Sequence, residues 1–277
     1  MRSLGTRRPP LLVRVLAVLA AATLIWVAVS LALAPFGDAH ANRVGHTLRA
    51  VLTAVLVVPL VLLARRHLDR RPRAGLALAP LGRGWRPLLG GAAFWLVAAV
   101  LGATMTLVLG WAAVGTGPFP ASTVLLALYL PILVLLFEAL PEELVFRGYL
   151  YRNLADRMPR WAAVVGQAVL FTAFGAMIGA ASSVERLVLF FTFSMALGAL
   201  RVVTGSLWAP IGFHLVFQWV AQYLAAAVRD GALVVEGRDV LDLMALWFFP
   251  IVLGTVVLVV VGARRGACWT ARDPDPA

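Results

Sequence analysis

Residues 87–137 read PLLGGAAFWLVAAVLGATMTLVLGWAAVGTGPFPASTVLLALYLPILVLLF and contain no charged side chain. A helix crosses the hydrocarbon core of a bilayer with about 20 mostly apolar residues, so this stretch is too long for one crossing. Glycine and proline interrupt helices, and the segment GTGPFP at residues 115–120 divides the stretch in two. The sequence therefore predicts two membrane-spanning helices here, joined by a short turn.

The rest of the chain has the same apolar character. Of its 277 residues, 62% are hydrophobic and 13% are charged, whereas about a quarter of a soluble domain is charged, which excludes a soluble fold. Six further apolar stretches predict spans at residues 15–37, 44–64, 161–184, 187–200, 202–228 and 243–263. The first has a signal-peptide-like pattern, but its apolar run is longer than the core of a signal peptide, so we expect a retained helix. We predict an all-α, polytopic integral membrane protein with about eight transmembrane helices in a single membrane domain, residues 1–277.

The distribution of basic residues predicts how the spans are oriented. All 24 basic residues are arginines, and the formal net charge is +11. Arginine collects in the cytoplasmic loops of membrane proteins, and alternate connections are rich in it, at residues 2–8, 65–86, 147–160, 201 and 264–272. The other connections hold only Arg43, Arg186, Arg229 and Arg238, with Arg49 nearby. We therefore expect both the N-terminus and the C-terminus in the cytoplasm, with residues 265–277 as a short cytoplasmic tail.

The same arginines restrict the partners of the protein. They are spread over five cytoplasmic segments without interleaved stacking aromatics, which argues against nucleic acid. Contact with the anionic headgroups of the lipid bilayer explains them better, above all at residues 65–73. We expect a multi-pass protein of the plasma (cytoplasmic) membrane of a bacterium.

Residues 138–147, EALPEELVFR, contain three carboxylates and an arginine, and this stretch begins inside the predicted fourth span and ends at its cytoplasmic boundary. Ionisable residues in a membrane segment are costly and indicate function. Glu143 and Arg147 are spaced i,i+4 in the acid-first order, so we expect an ion pair between them. Neighbouring side chains on a helix diverge by about 100°, so Glu142 and Glu143 should not face one point. Glu142 shares a face with Glu138 and is the carboxylate left for chemistry.

A second set of polar residues lies in the predicted seventh span. His214, Gln218 and Gln222 are spaced i, i+4, i+8 on an otherwise apolar helix, which places them in one stripe. Such side chains hydrogen-bond inside a helix bundle or line a wet cavity. His214 is the partner expected for a glutamate of another helix, whereas the two glutamines could also serve as interhelical contacts.

These residues resemble the motifs of the CPBP family, the CAAX prenyl endopeptidases and bacteriocin-processing (Abi) proteins. Glu142-Glu143-x-x-x-Arg147 is similar to the first motif of that family, and residues 204–214, TGSLWAPIGFH, are similar to its third. The likeness covers residues 125–222, the expected CAAX-protease-like core. It implies an eight-helix intramembrane endopeptidase in which paired glutamates and two histidines surround a cavity open to the cytoplasm. By position, Glu142 would be the general base and His214 would orient water or the oxyanion.

The resemblance implies roles for the remaining residues of the two motifs. Glu143 belongs to the catalytic group, where it holds the other residues of the site in position. The supporting residues are Arg147, Gln218 and Glu138. Gln218 occupies the position where the third motif normally has asparagine or aspartate. Its amide lies at the end of a side chain that is one methylene longer.

The second motif of the family, F-x-x-x-H, is degenerate in this chain. The matching residues 171–175 are FTAFG, with Gly175 where the histidine belongs, and no histidine occurs between residues 68 and 213. The resemblance makes zinc a candidate cofactor, but this second histidine ligand is absent. Glu142 and His214 alone make a weak metal site, because catalytic zinc normally takes three protein ligands. A metal mechanism and a glutamate mechanism therefore both stay open.

Two functions follow from these observations. The first is an intramembrane endopeptidase that hydrolyses a peptide bond of a membrane-associated peptide or protein through water activated by a glutamate. The alternative is a catalytically impaired pseudoprotease, acting as a membrane scaffold, a self-immunity protein or a regulator of the cell envelope. A transporter ranks last because no internal repeat is visible.

Overall fold

The computed structural model describes residues 8–37 and 42–274. Within these residues, eight helices are long and apolar enough to cross a membrane, which confirms the number of spans predicted. We number them α1 (Leu11–Ala32), α2 (Arg43–His67), α3 (Leu81–Val108), α4 (Ala121–Ala155), α5 (Arg160–Met177), α6 (Val184–Thr204), α7 (Trp208–Arg229) and α8 (Arg238–Arg264). Short 3₁₀ turns follow α1 at Ala34–Phe36 and precede α3 at Arg73–Leu76.

The two ends of the bundle differ in their connections. At the arginine-poor end, the segments after α3 and α7 pair as a two-stranded antiparallel sheet of β1 (Ala113–Thr116) and β2 (Leu233–Glu236). This sheet was not predicted from the sequence. Four-residue strands with so little apolar alternation give no period-2 signal.

Helix α4 extends further than expected and changes the position of the acidic motif. The motif was expected to begin inside the fourth span and to end at the membrane boundary. In the structure the helix continues to Ala155, and every residue from 141 to 155 is buried. The motif therefore lies within a helix and does not end one. Its charges are inside the bundle, where neighbouring helices supply their partners.

The shortest predicted span, residues 187–200, also proves longer. Helix α6 begins at Val184 and takes Glu185 and Arg186 into its first turn, because the Ser183 hydroxyl caps it by accepting from the Arg186 amide at 3.3 Å. Serine is a strong N-cap residue, so the charged pair lies inside the helix and not before it.

Close helix contacts hold α3 against α7, the helix that carries the histidine. A Cβ on Gly91 would lie 1.9 Å from the Ala209 carbonyl oxygen, and one on Gly212 would lie 2.0 Å from that of Leu88. Only glycine fits at both positions. Small residues of this kind let membrane helices approach backbone to backbone, which fixes the position of α7 beside the bundle core.

One predicted lipid contact is wrong. Arg65, at the end of α2, is fully buried and pairs with Asp69 at 3.1 Å, because this carboxylate lies among the helices. Arg65 therefore does not reach the headgroups. Arg66, Arg70 and Arg73 are exposed, and for them the contact stays a prediction.

Candidate active site

Irregular turns in α4 position the two adjacent glutamates. Glu142 and Glu143 lie in a short α-helical segment, Leu140–Glu143, between π-helical turns at Leu135–Ala139 and Leu144–Leu150. A π-helical turn widens the helix by one residue and is frequent at functional sites. The proline at position 141 contributes no backbone donor, which favours an irregular hydrogen-bond pattern here.

Glu143 is the fixed carboxylate of the site. It is fully buried, and its Oε1 accepts from Arg147 Nη1 at 3.0 Å and contacts His214 Nδ1 at 2.9 Å. The ion pair expected from the i,i+4 spacing is thus present. Arg147 is held in turn by a 2.8 Å bond to Ser194 Oγ, and its guanidinium lies 4.7 Å from the centre of the Phe171 ring.

The contact with Glu143 orients the imidazole of His214. An ionised carboxylate only accepts hydrogen bonds, so Nδ1 is the donor and the neutral ring presents the lone pair of Nε2 on its other edge. Phe193 packs edge-on against this ring, with the centroids 4.8 Å apart. The ring therefore has one fixed edge and one edge available for chemistry.

Glu142 lies at that available edge. Its Oε2 is 3.9 Å from His214 Nε2, and the residue keeps 8% of its surface exposed. This separation is too long for a direct hydrogen bond and suits a water that donates to both atoms. Glu142 and Glu143 diverge as expected, and each of them lies at a different nitrogen of the same imidazole ring.

A cavity of about 580 Å³ begins at Glu142 and His214. The polar stripe of α7 lines it, since Gln218 and Gln222 follow His214 at one and two helical turns along its wall. Across the cavity, Gln222 Nε2 donates to both oxygens of Glu138, at 3.0 and 3.2 Å. Aromatic side chains form much of the remaining wall, namely Trp26, Phe137, Phe171, Phe190, Phe193 and Phe217.

The cavity runs towards the arginine-poor end of the bundle. Its outer residues are Ser30 near the end of α1, Gly179 after α5, Arg186 at the start of α6 and Arg229 at the end of α7. Both the beginning of α1 and the end of α8 lie at the opposite end. The two expectations, cytoplasmic termini and a cytoplasmic opening, therefore cannot both hold for this fold.

Gly175 lies on α5 one turn after Phe171, and it packs against Phe190, a residue of the cavity wall. A Cβ at this position would lie 2.4 Å from Cδ1 of Phe190. The Phe190 ring stacks on Phe171, with the centroids 5.2 Å apart. An aromatic ring from α6 therefore packs against the position where the second-motif histidine of the family belongs.

Two further side chains, which were not predicted from the sequence, hold Arg147 on the side away from Glu143. Gln167 and Ser194 are both buried, and Ser194 Oγ donates to Gln167 Oε1 at 3.1 Å while accepting from Arg147. Gln167 Nε2 also bonds the Ser194 carbonyl at 3.0 Å. Their signal was present in the sequence, because a glutamine and a serine in apolar spans must find partners inside the bundle.

The residues of the site do not fit a catalytic zinc ion. Between residues 8 and 37 and between 42 and 274, no group of three His, Cys, Asp or Glu is arranged to hold a metal. Arg147 and His214 already occupy Glu143 Oε1. Glu142 and His214 Nε2 are the neighbouring donors that face the cavity, one fewer than catalytic zinc takes.

One comparison with known proteins matches this region. The family model described as Rce1-like, type II CAAX prenyl endopeptidase Rce1-like, matches residues 123–220. The matched segment runs from α4 to α7 and contains Glu138, Glu142, Glu143, Arg147, His214 and Gln218. The match confirms the resemblance to the CPBP family, and its limits lie two residues from those expected for the core at each end. No curated protein and no solved structure matches the chain.

Proposed function

We propose that this multi-pass membrane protein is an intramembrane endopeptidase of the CAAX protease type, acting on a membrane-associated peptide or protein. The observation that carries the proposal is the 3.9 Å gap between Glu142 Oε2 and His214 Nε2 at the base of a cavity. A carboxylate and an imidazole facing one water-sized gap are the groups that general-base hydrolysis needs. The match to the family model supports the same class of reaction.

The chemistry follows from the orientation of the two groups. Water in the gap gives its proton to Glu142 while His214 Nε2 accepts a hydrogen bond from it, and the water oxygen bonds to the carbonyl carbon of the peptide. The tetrahedral intermediate then collapses, the C–N bond breaks, and Glu142 returns the proton to the leaving amine. Glu143 and Arg147 hold the imidazole in the required orientation throughout.

Replacing Glu142 tests this assignment directly. Glu142→Gln keeps the size of the side chain but removes the base, and general-base catalysis contributes about 10²–10⁴ in rate. We expect peptide cleavage by the full-length reconstituted protein to fall at least about a thousandfold, with unchanged thermal stability. Glu185→Gln, on the exposed first turn of α6, is the matched control. Cleavage retained by the Glu142 variant would contradict the role of this base.

A pseudoprotease is the second candidate, and the Phe190 ring against Gly175 is the observation that favours it. Binding without hydrolysis needs the cavity but not the base. If deletion of the gene changes the cell and Glu142→Gln does not, the protein works as a scaffold, an immunity protein or an envelope regulator. If both changes have the same effect, the protease proposal stands.

We further propose that the substrate enters from the side of the membrane opposite both termini. The cavity opens at the end that holds few arginines, and the positive-inside rule places that end outside the cytoplasm. The protein would then lie in the plasma membrane with its mouth outward, and its substrate would be a peptide whose cleaved bond is on the outer side. Cytoplasmic anionic headgroups would meet the exposed arginines at the other end.

Thiol labelling in intact cells tests this orientation. Cys268 is exposed beyond α8, and a hydrogen bond with Thr270 lowers the pKa of its thiol, which favours reaction. We expect a membrane-impermeant maleimide to label Cys268 only after permeabilisation. A Ser30→Cys variant lacking Cys268 should be labelled in intact cells, because Ser30 is exposed at the cavity mouth. The reverse pattern would place the mouth in the cytoplasm.

A further inference from the structure

A second polar cavity lies at the arginine-rich end of the bundle, at the opposite end from the cavity mouth. Its volume is about 240 Å³, and three helices each contribute one arginine to its lining. These are Arg152 from α4, Arg160 from the start of α5 and Arg201 from α6. The fourth charged residue is Asp273, from the segment that follows α8.

Asp273 neutralises only part of this charge. Its Oδ2 lies 3.0 Å from Arg152 Nη1, and its Oδ1 lies 3.5 Å from Arg160 Nη2. Backbone bonds hold the segment in place, since the Asp273 amide donates to the Ala155 carbonyl at 3.0 Å and the Arg160 amide to that of Ala271 at 3.0 Å. Among the described residues that line the cavity, one carboxylate faces three guanidinium groups, which leaves a formal charge of about +2.

Several donors in this cavity have no acceptor. Arg152 and Arg201 are each 4% exposed, and their Nε atoms, together with Arg152 Nη2 and Arg160 Nε, are buried without a hydrogen-bond partner in the described structure. A buried polar group without a partner costs free energy, more so when it is charged. Single nitrogens of Arg8, Arg49 and Arg147 also lack a partner in the described structure. In this cavity, by contrast, four such donors from three arginines lie together.

We propose that the cavity binds an anion that carries a phosphate group. Guanidinium forks match phosphate oxygens in geometry, and a phosphate offers several acceptor oxygens to the donors that Asp273 leaves unpaired. The volume accommodates a phosphate and part of what it is attached to. Asp273 then shares the site as an internal competitor for Arg152 and Arg160.

The experiment uses the full-length protein and measures the rise in its melting temperature with ligand. Inorganic phosphate is added in neutral detergent, and, separately, the protein is placed in nanodiscs of phosphatidylglycerol or of phosphatidylcholine. Stabilisation by phosphate in detergent supports the proposal with a free anion as a source. Stabilisation by phosphatidylglycerol alone supports it with a lipid headgroup as the source. No difference in either arm overturns it.

Variants separate a binding site from general surface charge. Asp273→Asn removes the internal competitor, and we expect it to tighten anion binding about tenfold, whereas Arg201→Gln should weaken it about ten- to a hundredfold. Without ligand, Arg201→Gln should melt no lower than the wild type, because it removes a buried charge whose Nε has no acceptor among the described residues. Arg66→Gln, an exposed arginine at the same end, is the control. An equal loss of binding in Arg66→Gln and Arg201→Gln would overturn the proposal.

Discussion

Asp69 and Glu143 are both fully buried carboxylates with arginine partners, but their surroundings differ. Asp69 accepts from Arg14 Nη1 at 2.7 Å, Arg65 Nη1 at 3.1 Å, Tyr149 Oη at 3.0 Å and Asn153 Nδ2 at 3.0 Å, so both of its oxygens are paired. Glu143 has both of its partners on Oε1, and Oε2 has none in the described structure. Asp69 joins helices α1, α2 and α4, whereas Glu143 holds a histidine beside a cavity.

This difference in hydrogen bonding distinguishes a cluster that holds helices together, around Asp69, from a cluster that orients a catalytic group, around Glu143. Both clusters contain arginine and a carboxylate, so charge alone does not distinguish them. The Asp69 cluster has used its hydrogen-bonding capacity and lines none of the cavities described above. In the Glu143 cluster, the contact with Glu143 orients the ring of His214, so that His214 Nε2 faces the cavity. Unused capacity next to a cavity is therefore the feature that indicates function.

Asp69→Asn should give the largest effect on stability. It leaves Arg14 and Arg65 buried beside a neutral amide, and breaking a buried ion pair typically costs about 3–5 kcal/mol. We expect a loss of that size in the free energy of unfolding, measured by denaturation in mixed detergent micelles. Asp239→Asn, on an exposed carboxylate of α8, is the control. A loss below about 1 kcal/mol would mean that the cluster does not hold the three helices together.

Glu143→Gln should act on the reaction more than on the fold. The amide of the new glutamine can donate a hydrogen bond to Nδ1, which favours the other imidazole tautomer. Nε2 then carries the proton and no longer accepts a hydrogen bond from water. Losing such an orienting partner typically costs about a hundredfold, or about 2.7 kcal/mol of barrier. The measurement is the cleavage rate at saturating substrate. A change in KM alone would show that Glu143 acts on binding and not on the orientation of His214.

These two clusters also show how far the sequence could be read. The number of spans and the Glu143–Arg147 pair follow from local patterns, apolar run length and i,i+4 spacing, and the structure contains both. The partners of Asp69 come from three helices far apart in sequence, and no local pattern joins them. The lipid contact predicted for Arg65 failed because Asp69, four residues later, draws this arginine into the bundle.

The contact of both glutamates with His214 could not be predicted from their spacing. Glu142 and Glu143 are neighbours in an α-helical segment and diverge as expected, but the imidazole ring is wide enough for each of its nitrogens to lie near one carboxylate. The direction of the cavity likewise depends on how the eight helices pack, which the motifs do not encode.

The wall of the cavity at Gly175 offers a smaller test. Gly175→Ala places a methyl group against the Phe190 ring, and overpacking of this kind costs about 1–3 kcal/mol. In a Phe190→Ala background the added methyl group has room, so the two changes should be non-additive in the free energy of unfolding. Additive effects would show that Phe190 moves aside freely. Placing histidine at position 175 in the same background should then raise the cleavage rate, because it supplies a polar group that the wall lacks.

Replacing Gln222 should give the smallest effect on stability and on the cleavage rate. The size of the effect on the rate shows whether Gln222 belongs with Glu143 and His214. The amide bonds Glu138 between α7 and α4, and a hydrogen bond between membrane helices contributes about 0.6 kcal/mol on average. We expect Gln222→Leu to cost about that much in stability and to change the cleavage rate by less than about threefold. The rate and the unfolding free energy of this variant are compared with those of Glu143→Gln. If Gln222→Leu slowed cleavage as much as Glu143→Gln does, Gln222 would belong to the catalytic group. The catalytic group would then extend along α7 from His214 to Gln222, two helical turns closer to the cavity mouth.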